Sequence, residues 1–251
     1  MKSTLLERLQ LTYSPVAIHL TDEKPEGAIQ FKEGNLRGCT AAMLVAAATQ
    51  KRSAAFDRKH FGCPGGGVGL GFGNKYVGFP IEHLLSTGGK IELGGGRTWD
   101  MGIGERFFES PDITRKCINT MPFLEVPTEY VVIRPLEELQ EGDRPVLVWL
   151  LVNPDQLSAI ATQIGYRRGS IDNIIAPWGA ACQSILFAYG ECEKEQPRAV
   201  LGFFDLSKRH RIARDILSLT IPYSLFLEME AGADESFLGT EIWQKLQKRE
   251  K

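Results

Sequence analysis

Between positions 62 and 104 the chain carries 15 of its 26 glycines, in the runs GCPGGGVGLGFGNKYVGF, STGGK and LGGGRTWDMGIG. Glycine loses more conformational freedom on folding than any other residue and brings no side chain to a core. Such a density predicts irregular backbone with short extended pieces over this segment. The regular elements, and most of the core, must then come from the residues on either side.

Those flanks have readable periodicity. Leu5, Leu6 and Leu9 fall at helical spacing within residues 1–13, and Pro15 ends that helix. Val16–Leu20 follows as a strand, and the polar stretch Thr21–Gly34 reads as loop. Cys39 opens an alanine-rich run, CTAAMLVAAATQ, that favours helix. Glu129–Arg134 and Pro145–Val152 read as strands. Asn153 then caps a helix with Pro154 in its first turn, running to about Gly165. A helix is expected from Gly179 to Gly190, and a strand over Ala199–Phe204. Helical material is expected through Leu219, interrupted at Pro222. Two last helices cover Pro222–Glu230 and Glu235–Lys248, with Asp234 as N-cap. The expected class is α/β or α+β, a mixed sheet with packed helices and a glycine-rich irregular segment. At 251 residues, positions 1–251 are expected to form a single domain or two intimately packed lobes.

The composition is that of a globular protein, 43% hydrophobic and 24% charged, with a net charge of -2. That balance argues against nucleic acid as a partner. The one basic run, Lys208 to Arg214, reads as a solvated face without interleaved aromatic residues. The N-terminal sequence lacks the pattern of a secretory signal. The longest apolar runs, Ala41–Ala48 and Val146–Val152, are too short to span a membrane. A cytoplasmic location with reduced thiols is expected, and the odd cysteine count of five argues against a disulfide framework.

The cysteines carry the chemistry. Cys63 is followed by Pro64, which removes a backbone donor, and by Gly65, Gly66 and Gly67, which leave bare backbone. Cys-Pro beside glycines suits a thiolate ligand of an iron–sulfur cluster. Cys39 and Cys182 each lie at the start of a predicted alanine-rich helix, where free N–H groups favour a thiolate. The same residues also suit plain helix packing, since cysteine is a small apolar residue. Cys117 and Cys192 read as incidental, Cys192 because Glu191 and Glu193 raise its pKa. No Cys-x-x-Cys occurs and the four histidines are scattered, so a metal site must draw ligands from distant segments. His60 reads as a surface residue turned away from Cys63. The run Gly67–Gly73 lacks the strand and helix that frame a dinucleotide fingerprint, and no phosphate-loop or Gly-x-Ser-x-Gly motif is present.

The order of these features resembles a known family. Pro15-Val16-Ala17-Ile18, the helix-opening Cys39, Cys63-Pro64-Gly65-Gly66 and Gly69-Leu70-Gly71-Phe72 are similar to the domain of unknown function 169 family. So are Leu85-Ser86-Thr87-Gly88, Cys182, Leu201-Gly202-Phe203-Phe204-Asp205 and Ile221-Pro222 with the residues that follow. The resemblance spans nearly the whole chain and implies a shared fold and site, not a reaction. The family pattern carries a Gly-Cys-Tyr-Gly-Cys-Arg segment after the third cysteine, whereas this chain has Arg198–Asp205 there. The cysteines that match are Cys39, Cys63 and Cys182.

Three readings follow. In the first, Cys39, Cys63 and Cys182, with Gly65, Gly66 and Gly67 around them, bind an iron–sulfur cluster or another metal. In the second, the chain is a metal-free protein whose glycine-rich loop lines a pocket for a small-molecule ligand. In the third, it is an interaction module or homo-oligomer using the glycine surface. No catalytic residue is assigned by any of them.

Overall fold

Leu147–Val152 is six consecutive apolar residues, every one of them buried. A strand buried on both faces has to lie inside a sheet covered on both sides. The computed structural model, which describes residues 3–73, 76, 78–93, 95–140 and 143–249, places it there. In chain order the elements are α1 (Thr4–Leu9), β1 (Val16–Thr21), α2 (Thr40–Gln50), β2 (Ala54–Phe56), α3 (Pro64–Leu70), α4 (Ile81–Leu84), β3 (Lys90–Leu93), β4 (Arg97–Asp100) and α5 (Pro111–Thr120). There follow β5 (Tyr130–Pro135), β6 (Leu147–Val152), α6 (Pro154–Arg168), β7 (Ile174–Ile175), α7 (Gln183–Cys192), β8 (Ala199–Gly202), β9 (Leu217–Pro222), α8 (Tyr223–Ala231) and α9 (Glu241–Gln247).

Among the described residues, seven strands form one mixed sheet in the order β2-β5-β1-β6-β9-β8-β7, and β3 and β4 form a separate hairpin. All neighbours in the large sheet run antiparallel except β7 and β8. The period of two along each strand sorts the core into two sides. Val16, Ile18, Leu147, Trp149 and Leu151 face a layer made by α2, α3 and α7. Ala17, Val148, Leu150, Leu219 and Ile221 face the opposite layer, made by α1, α6, α8 and α9. Asn153 forms a complete capping box with Gln156 at the start of α6, as the sequence predicts.

Three local expectations are corrected. The segment before Pro222 is strand β9, not helix: Leu219 and Ile221 enter one core while Ser218 and Thr220 turn to the other side, an alternation of period two. Thr240, not Asp234, caps the final helix, and Ser236 caps a 3-10 turn at Phe237–Gly239. The glycine-rich segment is also more regular than expected, since Pro64–Leu70, sequence PGGGVGL, is helix α3.

Tertiary packing explains that helix. A Cβ on Gly66 would lie 2.6 Å from Thr40 Oγ1 on α2, and one on Gly69 would lie 2.7 Å from the Cys182 carbonyl oxygen at α7. Backbone packs directly on backbone here, which only glycine permits. Asn74 and Lys75, which follow the glycine run, lie outside the described residues.

Candidate functional site

All three cysteines singled out by the sequence are N-caps: Cys39 of α2, Cys63 of α3 and Cys182 of α7. The Gly66 and Gly67 amides at the start of α3 donate to the Cys63 carbonyl, at 2.9 and 3.2 Å, and the Gln183 amide at the start of α7 donates to the Ala180 carbonyl at 2.8 Å. Short backbone links bring the three segments together. The Cys63 amide donates to the Gly38 carbonyl at 3.0 Å, tying the start of α3 to the start of α2. Gly62 takes φ +84° at that contact, and a Cβ there would sit 2.6 Å from the Gly38 oxygen. The Cys182 thiol donates to the Gly65 carbonyl at 3.2 Å, joining α7 to α3.

The electrostatics carry the same proximity. Burial pushes the Cys63 thiol up, and the Cys39 thiol adds to this; the Gly66 and Gly65 N–H groups and the Lys208 ammonium pull the other way. Burial pushes Cys182 well above the ordinary thiol range, reinforced by Cys63, Cys39 and Asp205. The expectation that a helix N-terminus lowers a thiol's pKa is therefore corrected for Cys182. At Cys63 and Cys182 alike, desolvation of the charged form is the largest influence and outweighs the N–H groups that favour the thiolate.

Gly65 and Gly66 direct N–H groups toward Cys63, and Gly65 also accepts from Cys182. Gly67 instead serves the helix: its amide donates to the Cys63 carbonyl and its carbonyl accepts from Phe72. Thr40, next to Cys39, has a buried hydroxyl without a hydrogen-bond partner among the described residues. Also among the described residues, no group of three or more His, Cys, Asp or Glu side chains is arranged to hold a metal ion.

The remaining thiols differ from each other. Cys192 is at the far end of α7, where its sulfur donates to the Ala188 carbonyl at 3.4 Å. Burial first, then Glu193 and Glu191, push its pKa to about 11. Cys117 lines a recess that also reaches Gly65. His60 is turned away from Cys63, its Nδ1 2.7 Å from Asp57 Oδ2.

That recess is the part of the site the sequence did not reveal. It is a small, partly open cavity of about 60 Å³, and its walls are mostly apolar. Tyr76, Gln183 and Asp205 are the polar side chains reaching it beside Gly65, while Phe107, Phe108 and Trp178 supply aromatic surface. The Gln183 amide nitrogen donates to the Tyr76 hydroxyl, and its oxygen accepts from the Ala180 amide at 2.8 Å. Burial and the Asp205 carboxylate push Glu105 up, opposed by Lys208 and Ser207. Lys208 thus acts on both Glu105 and Cys63, where the sequence suggested only a solvated basic face. Its neighbour Arg209 donates to the carbonyls of Ile216 and Arg214, at 2.6 and 2.9 Å. No local motif marks these residues. Of the residues lining the recess, Gly65, Leu85 and Asp205 fall within segments quoted for the family resemblance.

A family model matches residues 4–232. The chain belongs to the family described as uncharacterised ArCR, domain of unknown function 169. The match takes in α1 through α8, and so all three N-cap cysteines and the recess of this ArCR-family chain. Comparison with curated proteins gave no match, and comparison with solved structures gave none. No helix among the described residues is long and apolar enough to cross a membrane.

Proposed function

We propose that this ArCR-family protein holds an iron–sulfur cluster on Cys39, Cys63 and Cys182 and presents it to a small molecule bound in the neighbouring recess. The observation that supports this best is the shared placement of the three cysteines. Each stands at the N-cap of a helix, and the three helix starts are joined by direct contacts. The donor set suits the group, since thiolates are the usual cluster ligands and nearby N–H groups tune the charge on their sulfurs. The Gly65 and Gly66 amides already favour negative charge on Cys63.

A single ion needs every ligand within ~2.0–2.3 Å of one point, which matches no arrangement among the described residues. A cluster distributes its thiolates over several irons, so their sulfurs stand farther apart. With three protein ligands, the bound group would supply an iron with an open position, able to act as a Lewis acid. The chain's own contribution is to bury Cys63 and Cys182, to supply N–H donors and to hold apolar walls beside Gly65.

A second reading has its own support. The recess and the high thiol pKa values are equally those of a metal-free small-ligand protein with packed cysteines.

Anaerobic purification, with iron and sulfide assay and absorbance near ~400 nm, tests the first reading. Cys39→Ser, Cys63→Ser and Cys182→Ser should each lose iron, while Cys192→Ser keeps it. A colourless, folded, iron-free protein after cluster reconstitution would leave the metal-free reading in its place.

A further inference from the structure

Asp205 is out of place in an apolar recess. It is 6% exposed and lines the cavity. Its Oδ1 accepts from the Ser207 amide at 2.9 Å and the Ser207 hydroxyl at 2.7 Å. Its Oδ2 receives no hydrogen bond and the carboxylate joins no salt bridge among the described residues. The Lys208 ammonium, three residues on, donates to Ser207 Oγ at 3.0 Å. Oδ2 is not among the fully buried unpartnered atoms, so it keeps acceptor capacity that can be reached from the recess.

The wall around it is aromatic. Trp178 meets Phe108 edge to face with ring centroids 4.9 Å apart, and Phe107 at 5.8 Å. These contacts hold the rings in place, and all three line the recess. Aromatic faces attract cations through their negative quadrupole, most strongly where water is excluded. A carboxylate with spare acceptor capacity next to a set of aromatic rings is the chemistry that recognises an organic ammonium group.

We infer that the recess binds a small organic amine, its ammonium group donating to Asp205 Oδ2 and its apolar body lying against Phe107, Phe108 and Trp178. The inference rests on the proposed function for the presence of a ligand in this recess, and it adds that ligand's chemical class. The amine does not need the cluster to bind. Bound there, its free end faces Gly65 and so the cysteine trio.

The test is calorimetric titration at neutral pH with benzylamine, benzyl alcohol and phenylacetate, on iron-loaded and iron-free protein. Benzylamine should bind at least about 10-fold more tightly than either of the others, the range of a charge-assisted hydrogen bond. Asp205→Asn, which keeps an oxygen for Ser207, should remove that preference. Trp178→Leu should weaken the amine by roughly 2- to 30-fold without creating a preference for the acid. Equal affinity for the three probes, no amine binding up to about 10 mM, or an unchanged amine affinity in Asp205→Asn would overturn the inference. Iron content, measured on the same samples, separates the outcomes. Loaded protein that ignores amines refutes this inference alone, and protein that takes up no iron on reconstitution yet binds amines refutes the cluster alone.

Discussion

Gly69→Ala in α3 puts the backbone-to-backbone packing of the site to a direct test. Alanine is the better helix former by about 1 kcal/mol, so on local grounds the substitution should stabilise. The structure opposes that gain. The new Cβ would lie 2.7 Å from the Cys182 carbonyl oxygen, 2.9 Å from its carbon and 3.2 Å from its Cβ. The two closest atoms are main chain and have no rotamer in which to retreat, so α3 must move off α7 by roughly half an ångström or more. Overpacking of this kind costs about 1–3 kcal/mol, and rigid backbone as the obstacle places it toward the upper end. The net expectation is a loss of about 1–2 kcal/mol. For a chain of this size that lowers Tm by roughly 2–8 °C.

Gly190→Ala supplies the control, since Gly190 is in helix α7 and a Cβ there meets nothing within 4 Å. It should raise stability by about 0.5–1 kcal/mol. Thermal and urea unfolding of the two variants, followed by circular dichroism, should move in opposite directions from the parent. Gly69→Ala matching or exceeding Gly190→Ala would refute the claim that α3 is glycine-rich because of what it touches.

Two further outcomes are expected away from the site. Burial pushes Glu191 up, but hydrogen bonds from Arg198 and Lys194 outweigh it and hold the carboxyl below the usual range. Its contribution is therefore complete above the unfolded glutamate range, near pH ~4.3, and is lost as pH falls through the folded value. Glu191→Gln should cost about 1–3 kcal/mol at pH 7, with the difference closing as urea unfolding is repeated toward pH 3; a constant difference would contradict this. Cys192, with its thiol pushed to about 11, should react with iodoacetamide at pH 8 on the order of 100-fold more slowly than an ordinary thiol. Peptide mapping of native and unfolded protein measures that ratio, and equal labelling in both would count against it.

Much of the scaffold was legible because its signals are local. Leu147–Val152 reads as a buried strand from its composition, and Asn153-Pro154 reads as a helix start from capping chemistry. Cys39 and Cys182 at helix starts were visible in the same way. What escaped was decided by tertiary contact. Glycine's poor helix propensity hid α3, whose reason to exist is the close approach of Thr40 and Cys182. The basic run before it obscured β9, although Leu219 and Ile221 alternate with Ser218 and Thr220. Asp205, Tyr76 and Trp178 share no spacing, so only the folded chain brings them to one recess. The direction of the thiol shifts was likewise hidden, because desolvation depends on burial and sequence carries no direct measure of it.

The contact between Cys182 and Gly65 spans 117 positions of chain. At ~5–20 residues per second, a ribosome that has finished α3 needs on the order of 6–23 seconds before the third thiol exists. For that interval α3 has Thr40 of α2 to pack against at Gly66, but the side that meets α7 at Gly69 has no partner. The nascent chain therefore passes through a stage with two of the three thiols and no complete site. If the proposed cluster is bound, its ligand set is incomplete until Cys182 has been made and α7 has docked on α3.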